Sequence, residues 1–169
     1  MKIAIHGPMG SGKSTIASII KEHNPEYQIF SYGQKIKDIA YEIFKMKYKD
    51  RGLLIQIANK FREIDEDIWA KYIMNQIKDI NNCIIDDLRF QNELDLLSND
   101  WKIISLTTPK DIRIQRIIKC NPKNYQDHIN NMNDISETSI LHLPDNTIYI
   151  DTDIPYEQLK DTILTILQT

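Results

Sequence analysis

At 169 residues, with 41% hydrophobic and 27% charged side chains, the chain has the make-up of a globular protein large enough for one sizeable core. A net charge of −3 excludes a broad basic surface for nucleic acid, and no apolar run is long enough to cross a bilayer. Cys83 and Cys120 form neither a CxxC nor a metal spacing; no signal peptide and a reduced, cytoplasmic setting are expected, with Cys83 a buried thiol and no disulfide.

Lys2 to His6 is a short β-rich run suited to a buried strand. Gly7 to Ser14 follows as GPMGSGKS and fits the phosphate-loop pattern G-x-x-x-x-G-K-[ST]. From Thr15 to Glu22, Ile16, Ile19 and Ile20 recur at helical spacing. Strand, glycine loop and helix are the context the motif needs. Its glycines let successive N–H groups turn inward around phosphate oxygens, and the helix adds the positive end of its dipole. Gly7, Met9, Gly10, Ser11, Gly12, Lys13, Ser14 and Thr15 are therefore the expected ATP cradle. Lys13 is placed to reach the β- and γ-phosphates and Ser14 to ligate Mg²⁺.

After the turn at Asn24-Pro25, Tyr27 to Phe30 is a strand candidate. Ser31-Tyr32-Gly33 leads into a helix with Ile36, Ile39, Ala40, Ile43 and Phe44 on its inner face. Lys35 is expected in solvent, and Lys37 is a candidate contact for an anionic substrate. Lys45 to Arg51 is a basic stretch whose default meaning is a solvated loop. Leu53 to Arg62 looks helical, and Asp65-Glu66-Asp67 suits the start of a helix carrying Trp69, Tyr72, Ile73, Ile77 and Ile80 inward. Trp69 is weighted toward core over ligand stacking.

Cys83-Ile84-Ile85 is a short apolar strand ending at Asp86-Asp87, with Arg89 beyond and helix from Glu93 to Ser98. Open α/β sheets bind ligands at the carboxyl ends of their strands, so Asp86 is the candidate second support for Mg²⁺. Trp101 to Thr107 is another strand. Thr108-Pro109-Lys110-Asp111 starts a helix in a capping-box pattern, with Arg113 and Arg116 on one face. Asn121 to Glu137 is polar and asparagine-rich, the composition of a mobile segment that closes over a site; His128 within it is expected at the surface. Thr147 to Ile150 is the last strand and Pro155 to Leu167 an amphipathic closing helix. The alternation predicts a three-layer α/β/α sandwich on a five-stranded parallel sheet, a phosphate-loop fold in one domain over residues 1–169.

A phosphate loop, an acid at a second strand end and later arginines are the parts phosphoryl transfer requires. Arg113 and Arg116 are candidates to bring positive charge to the transferring phosphate from a lid. A nucleotide switch fits less well. Asn59-Lys60-Phe61-Arg62 opens like the guanine reader N-K-x-D but ends in arginine and lies within a helical pattern. A mechanical ATPase would need an acidic pair to activate water, which Asp86-Asp87 could mimic, but the chain leaves little length for the rest.

With these residues in view, the chain resembles the deoxynucleoside monophosphate kinases of phages and large DNA viruses. Ser31-Tyr32-Gly33 with Lys37 is similar to their S-F-A-x-x-L-K segment. Lys49-Asp50-Arg51, Leu54 to Arg62 and Trp69 resemble K-D-R…L-Q…R…W. Asp87 to Glu93 is similar to D-V-R-F-P-N-E, with Gln91 for the proline, and Ser136-Glu137 to the end of H-x-S-E, with Asp134 for the histidine. The resemblance implies transfer from ATP, with Mg²⁺, to a deoxynucleoside 5′-monophosphate, by a monomer or homodimer in the cytoplasm, the host's if viral. It implies an acceptor-binding helical region at about 34–80 and a lid at about 109–140. Lys37, Arg62, Trp69, Asp87, Arg89 and Glu137 would line the acceptor site; Arg62 and Arg89 would hold its phosphate and Asp87 its sugar or base. Phosphomevalonate kinases share an H-x-S-E-like segment and are the alternative within the same fold.

Overall fold

The computed structural model describes residues 1–168; Thr169, the last position of the expected domain, lies outside the described residues. Five strands form one parallel sheet: β1 (Lys2–His6), β2 (Gln28–Phe30), β3 (Cys83–Leu88), β4 (Trp101–Thr107) and β5 (Ile148–Asp151), in the order β2-β3-β1-β4-β5. Ile3, Ala4 and Ile5 are fully buried because β1 is the central strand, covered on both faces. Ile3 stands opposite Ile84 of β3 on one side and Lys102 of β4 on the other. The chain leaves β1 toward β2, returns through β3 beside β1, then crosses to β4 on the far side. That reversal opens a crevice beyond the carboxyl end of β1, where the phosphate loop lies.

Helices cover both faces. On one, α1 (Lys13–His23) and α9 (Tyr156–Gln168) bury Ile16, Ile19, Ile20, Leu159 and Ile163 against β1, β4 and β5. On the other, α4 (Ile68–Ile77) packs Ala70, Ile73 and Ile77 with Leu88, Leu94 and Trp101. A satellite core joins α2 (Tyr32–Glu42), α3 (Arg51–Ile64) and α4 through Ile36, Ala40, Leu54, Ile57 and Trp69. Short α5 (Gln91–Asp95) follows β3, and α6 (Lys110–Cys120), α7 (Tyr125–Asn130) and α8 (Ile135–Thr138) lie between β4 and β5. The guanine-reader lookalike at Asn59 sits inside α3.

Four local expectations change. The second helix ends at Glu42, so Ile43 and Phe44 are exposed; Lys45, at φ 53°, turns the chain and Met46 takes the buried place instead. Pro109, whose ring has no acceptor to offer, is the N-cap of α6, and the Thr108 hydroxyl meets Thr152 instead of closing a capping box. His128, within α7, is buried and not at the surface. Residues 121–137 are no loose excursion: Asp127 accepts from the Arg51 backbone N–H at 2.8 Å, and the Asn124 amide donates to the Lys49 carbonyl at 2.9 Å.

Candidate functional site

The phosphate loop is shaped by glycine where only glycine serves. Gly12, at φ 96°, is the N-cap of α1, and Gly10, at φ 80°, passes so close to α6 that a Cβ there would lie 2.8 Å from the Arg113 carbonyl oxygen. The first turn of α1 holds no acidic residue and no side-chain cap, so its N–H groups remain free for an anion. Lys13 Nζ is folded onto its own loop, donating to the carbonyls of Gly7 at 2.6 Å and Pro8 at 2.9 Å. Burial, with Arg89 beside it, pulls the Lys13 ammonium down to about 7.

A cavity of about 650 Å³ runs from Gly10, Gly12, Lys13, Ser14 and Thr15, past Asp86, Asp87 and Arg89, to Leu54, Ala58 and Arg62 on α3. Asp86 accepts a short hydrogen bond from the Ser31 hydroxyl; burial and the neighbouring Asp87 raise its carboxyl above the usual range. Asp87 accepts the N–H groups of Tyr32 at 2.7 Å and Gly33 at 2.9 Å, so its charge holds the start of α2 at the cavity wall. Lys37, on the next turn, also faces the cavity.

Positive charge converges between the loop and α3. The Glu137 carboxylate, 1% exposed at its side chain, accepts from Arg51 Nη2 and Arg89 Nη1 and from the Met9 backbone N–H at 2.8 Å. Arg89 Nη1 also donates to the Ser136 carbonyl at 2.9 Å. Asp134, standing where the resembled motif has histidine, caps α8 through the Ser136 N–H and hydroxyl. Arg62 sits further along, its guanidinium carbon 4.3 Å over the Phe90 ring and Nη2 3.9 Å from Glu93. Glu93 is buried, accepts the N–H groups of Arg89 and Phe90, and is pushed up to about 7 by burial, then by Asp87.

Not every expected residue meets here. Trp69 is in the satellite core, 4% exposed and outside the cavity lining, with its indole N–H donating to the Ala58 carbonyl at 3.1 Å; it reaches the cavity only through Ala58. Arg113 and Arg116 share a helix face yet part company. Arg116 lines the main cavity, while Arg113 turns to a smaller one of about 310 Å³ with His6, Gly7 and Glu137, its Nη1 3.4 Å from the Met9 carbonyl. Ser11 is wholly buried and supports the loop through its backbone.

Lys49 and Arg51, expected in a solvated loop, are cavity residues, and burial, with Arg51 and Lys37 nearby, pulls Lys49 down to about 8. A sequence sign existed: Asp50 accepts from the Leu53 N–H as the N-cap of α3, which fixes its neighbour Arg51 at the helix start. Glu93 closes the stretch that resembles D-V-R-F-P-N-E, whereas Thr152 left no comparable sign.

A family model described as an AAA domain matches residues 3–137. Adenylate kinase of Pyrobaculum aerophilum is 31% identical over 80 residues, 47% of this chain and 40% of that relative's length. Among solved structures, a deoxyadenosine kinase from M. mycoides with products dCMP and dCDP bound superposes at a TM-score of 0.59, with 22% identity and 99% of both chains covered. A gluconokinase from Sinorhizobium meliloti gives 0.59 at 15% identity, over 99% of this chain and 91% of that one. Shikimate kinase from Aquifex aeolicus gives 0.55 at 16%, over 99% and 96%. The parallel sheet, the glycine loop at its switch point and the match across most of the sequence lead to one assignment: the chain belongs to the AAA domain family of phosphate-loop proteins, in the kinase-like α/β fold of these structures.

Proposed function

We propose that the protein transfers the γ-phosphoryl group of ATP to a deoxynucleoside 5′-monophosphate, giving the diphosphate, as in the viral and phage enzymes it resembles. The observation that carries this reading is the convergence of Arg51, Arg89 and the Met9 N–H on one carboxylate, that of Glu137. Three donors around a single anion, between the phosphate loop and the α3 side of the cavity, match the place where γ-phosphate and acceptor phosphate would meet. The Glu137 oxygens stand in for phosphate oxygens there.

In this reading Gly7 to Thr15 cradle ATP, Lys13 leaves its loop carbonyls for the β- and γ-phosphates, and Arg51 and Arg89 stabilise charge spread over the transferring group. Arg113 and Arg116 belong to the donor side, within the lid at about 109–140. Lys37, Asp87 and Arg62 line the acceptor region at about 34–80, with Arg62 against Phe90 offering a flat surface for a base. Ser14 and Asp86 are the candidates to hold Mg²⁺: a hydroxyl and a carboxylate, both facing the cavity, form the oxygen-only set this hard cation takes, with phosphates and water as remaining ligands. The ion would neutralise charge on the β- and γ-oxygens. The names of the Pyrobaculum and M. mycoides proteins support a nucleotide or nucleoside acceptor. A different small-molecule acceptor is the second reading, favoured by the fold shared with gluconate and shikimate kinases.

The test is ADP release measured across deoxynucleoside monophosphates, their ribose forms and phosphomevalonate, with a no-acceptor control. Release stimulated by a deoxynucleoside monophosphate, abolished by Lys13→Ala and lowered ~10³-fold by Arg89→Ala, is expected. Release at the same rate without acceptor would instead identify an ATPase.

A further inference from the structure

Arg116 is held from outside the lid by a residue that neither the loop motif nor the acceptor site includes. Thr152, directly after β5, is 1% exposed. Its hydroxyl lies 2.9 Å from the Ser11 carbonyl of the phosphate loop, to which it can donate. It shares a hydrogen bond with the Thr108 hydroxyl at 2.7 Å and accepts from Arg116 Nη1 at 3.0 Å. Arg116 can only donate, so the Thr152 oxygen accepts from it while its proton goes to the Ser11 carbonyl or to Thr108, itself 3.5 Å from that carbonyl. Arg116 Nη2 meanwhile donates to the Thr152 backbone carbonyl at 2.7 Å. Both ends of the guanidinium fork are anchored on one residue, and its Nη1 lies 3.9 Å from where a Cβ on Gly12 would sit.

We infer that Thr152 is a positioning residue for the donor nucleotide, fixing the Arg116 guanidinium beside Gly12 and tying it to the carbonyl of Ser11. This rests on the reading of the loop as an ATP site and deepens it. Arg116 is then a pre-set contact at the donor side, where an arginine on a lid helix would otherwise have to find its place on closure. Because the hydroxyl is shared, the position of the guanidinium and the shape of the loop are set together. An arginine fixed in advance loses less side-chain freedom when the nucleotide arrives.

The experiment is ATP binding by calorimetry for the wild type, Thr152→Val, Thr152→Ser, Arg116→Ala and the Thr152→Val/Arg116→Ala double variant, with thermal unfolding in parallel. Thr152→Val, which keeps the shape and removes the hydroxyl, is expected to weaken ATP binding about tenfold. Thr152→Ser is expected to restore it. In the Arg116→Ala background Thr152→Val should cost much less, since the contact it supports is gone. A purely structural threonine would lower the melting temperature and leave ATP affinity unchanged, or would lower affinity equally in both backgrounds; either result overturns the inference. If Thr152→Val does not fold, Arg116→Lys reads the same anchor from the other side. Lysine keeps the charge but cannot span hydroxyl and carbonyl, so the same tenfold loss is expected and wild-type affinity overturns the proposal. Failure of the wild type to bind ATP overturns the nucleotide reading itself, and Thr152's role with it.

Discussion

Lys13 shows how one side chain can be prepared for an anion that is not yet there. Its ammonium is buried against two carbonyls, with Arg89 near, and is pulled down to about 7 from its ordinary 10.5. Polyphosphate would supply the missing counter-charge and return it toward the ordinary value. At pH 8, therefore, ATP binding is expected to take up a proton at this lysine, and at pH 6, where it is already charged, not to. Calorimetry in two buffers of different ionisation enthalpy measures this; buffer-independent heats at pH 8 would count against it. The same shift has a sign for stability. Between about 7 and 10.5 the unfolded chain binds more protons at this group than the folded one, so the cost of burying it shrinks as pH rises through that window. Lys13 was legible in the sequence because its role is written in a local pattern of four fixed residues. That Arg51 and Arg89 share the Glu137 carboxylate was not, because the three come from segments far apart along the chain.

At the level of elements, the acceptor-side wall depends on how α4 locks against α3. Trp69 buries its ring there, packs on Phe61 with centroids 5.2 Å apart and donates its indole N–H to Ala58. Trp69→Ala is expected to destabilise the protein by about 3–5 kcal/mol, the range for losing a large buried aromatic. Urea denaturation measures it, with ATP affinity of the folded variant near the wild-type value. Stability within 1 kcal/mol of wild type, or a selective loss of base discrimination, would return Trp69 to the pocket wall. The helical periodicity located α3 and α4 well. It did not tell which inward residue faces the cavity and which faces the neighbouring helix, since both are buried apolar positions.

For the molecule as a whole, the crossing of the chain from β3 to β4 brings the loop, the Asp86-Asp87 pair and residues 121–137 to one end of the sheet. His128 of α7 lines the cavity, and α7 is pinned to the start of α3 by Asp127 and Asn124. That contact fixes the start of α3, and Arg51 with it, at the cavity wall. Asp127→Ala removes the acceptor for the Arg51 N–H, a bond worth about 1 kcal/mol. It is expected to raise KM for the monophosphate about fivefold and to change KM for ATP little, in steady-state assays varying each substrate. Equal changes in both would show that α7 governs the whole cavity and not the acceptor side.

Local chemistry was enough to place the strands, the phosphate loop and the helix that follows it, though β3 runs through Asp86 and Asp87 to Leu88 and does not end at them. Each rests on residues adjacent in the chain: alternation, helical spacing, glycines at fixed offsets. The place of Lys49 and Arg51 on the cavity wall, the burial of His128, the divergence of Arg113 from Arg116 and the hub at Thr152 depended on the folded molecule. They arise where charges and hydroxyls from distant segments are brought within hydrogen-bond reach, and no spacing along the chain encodes which of them will meet.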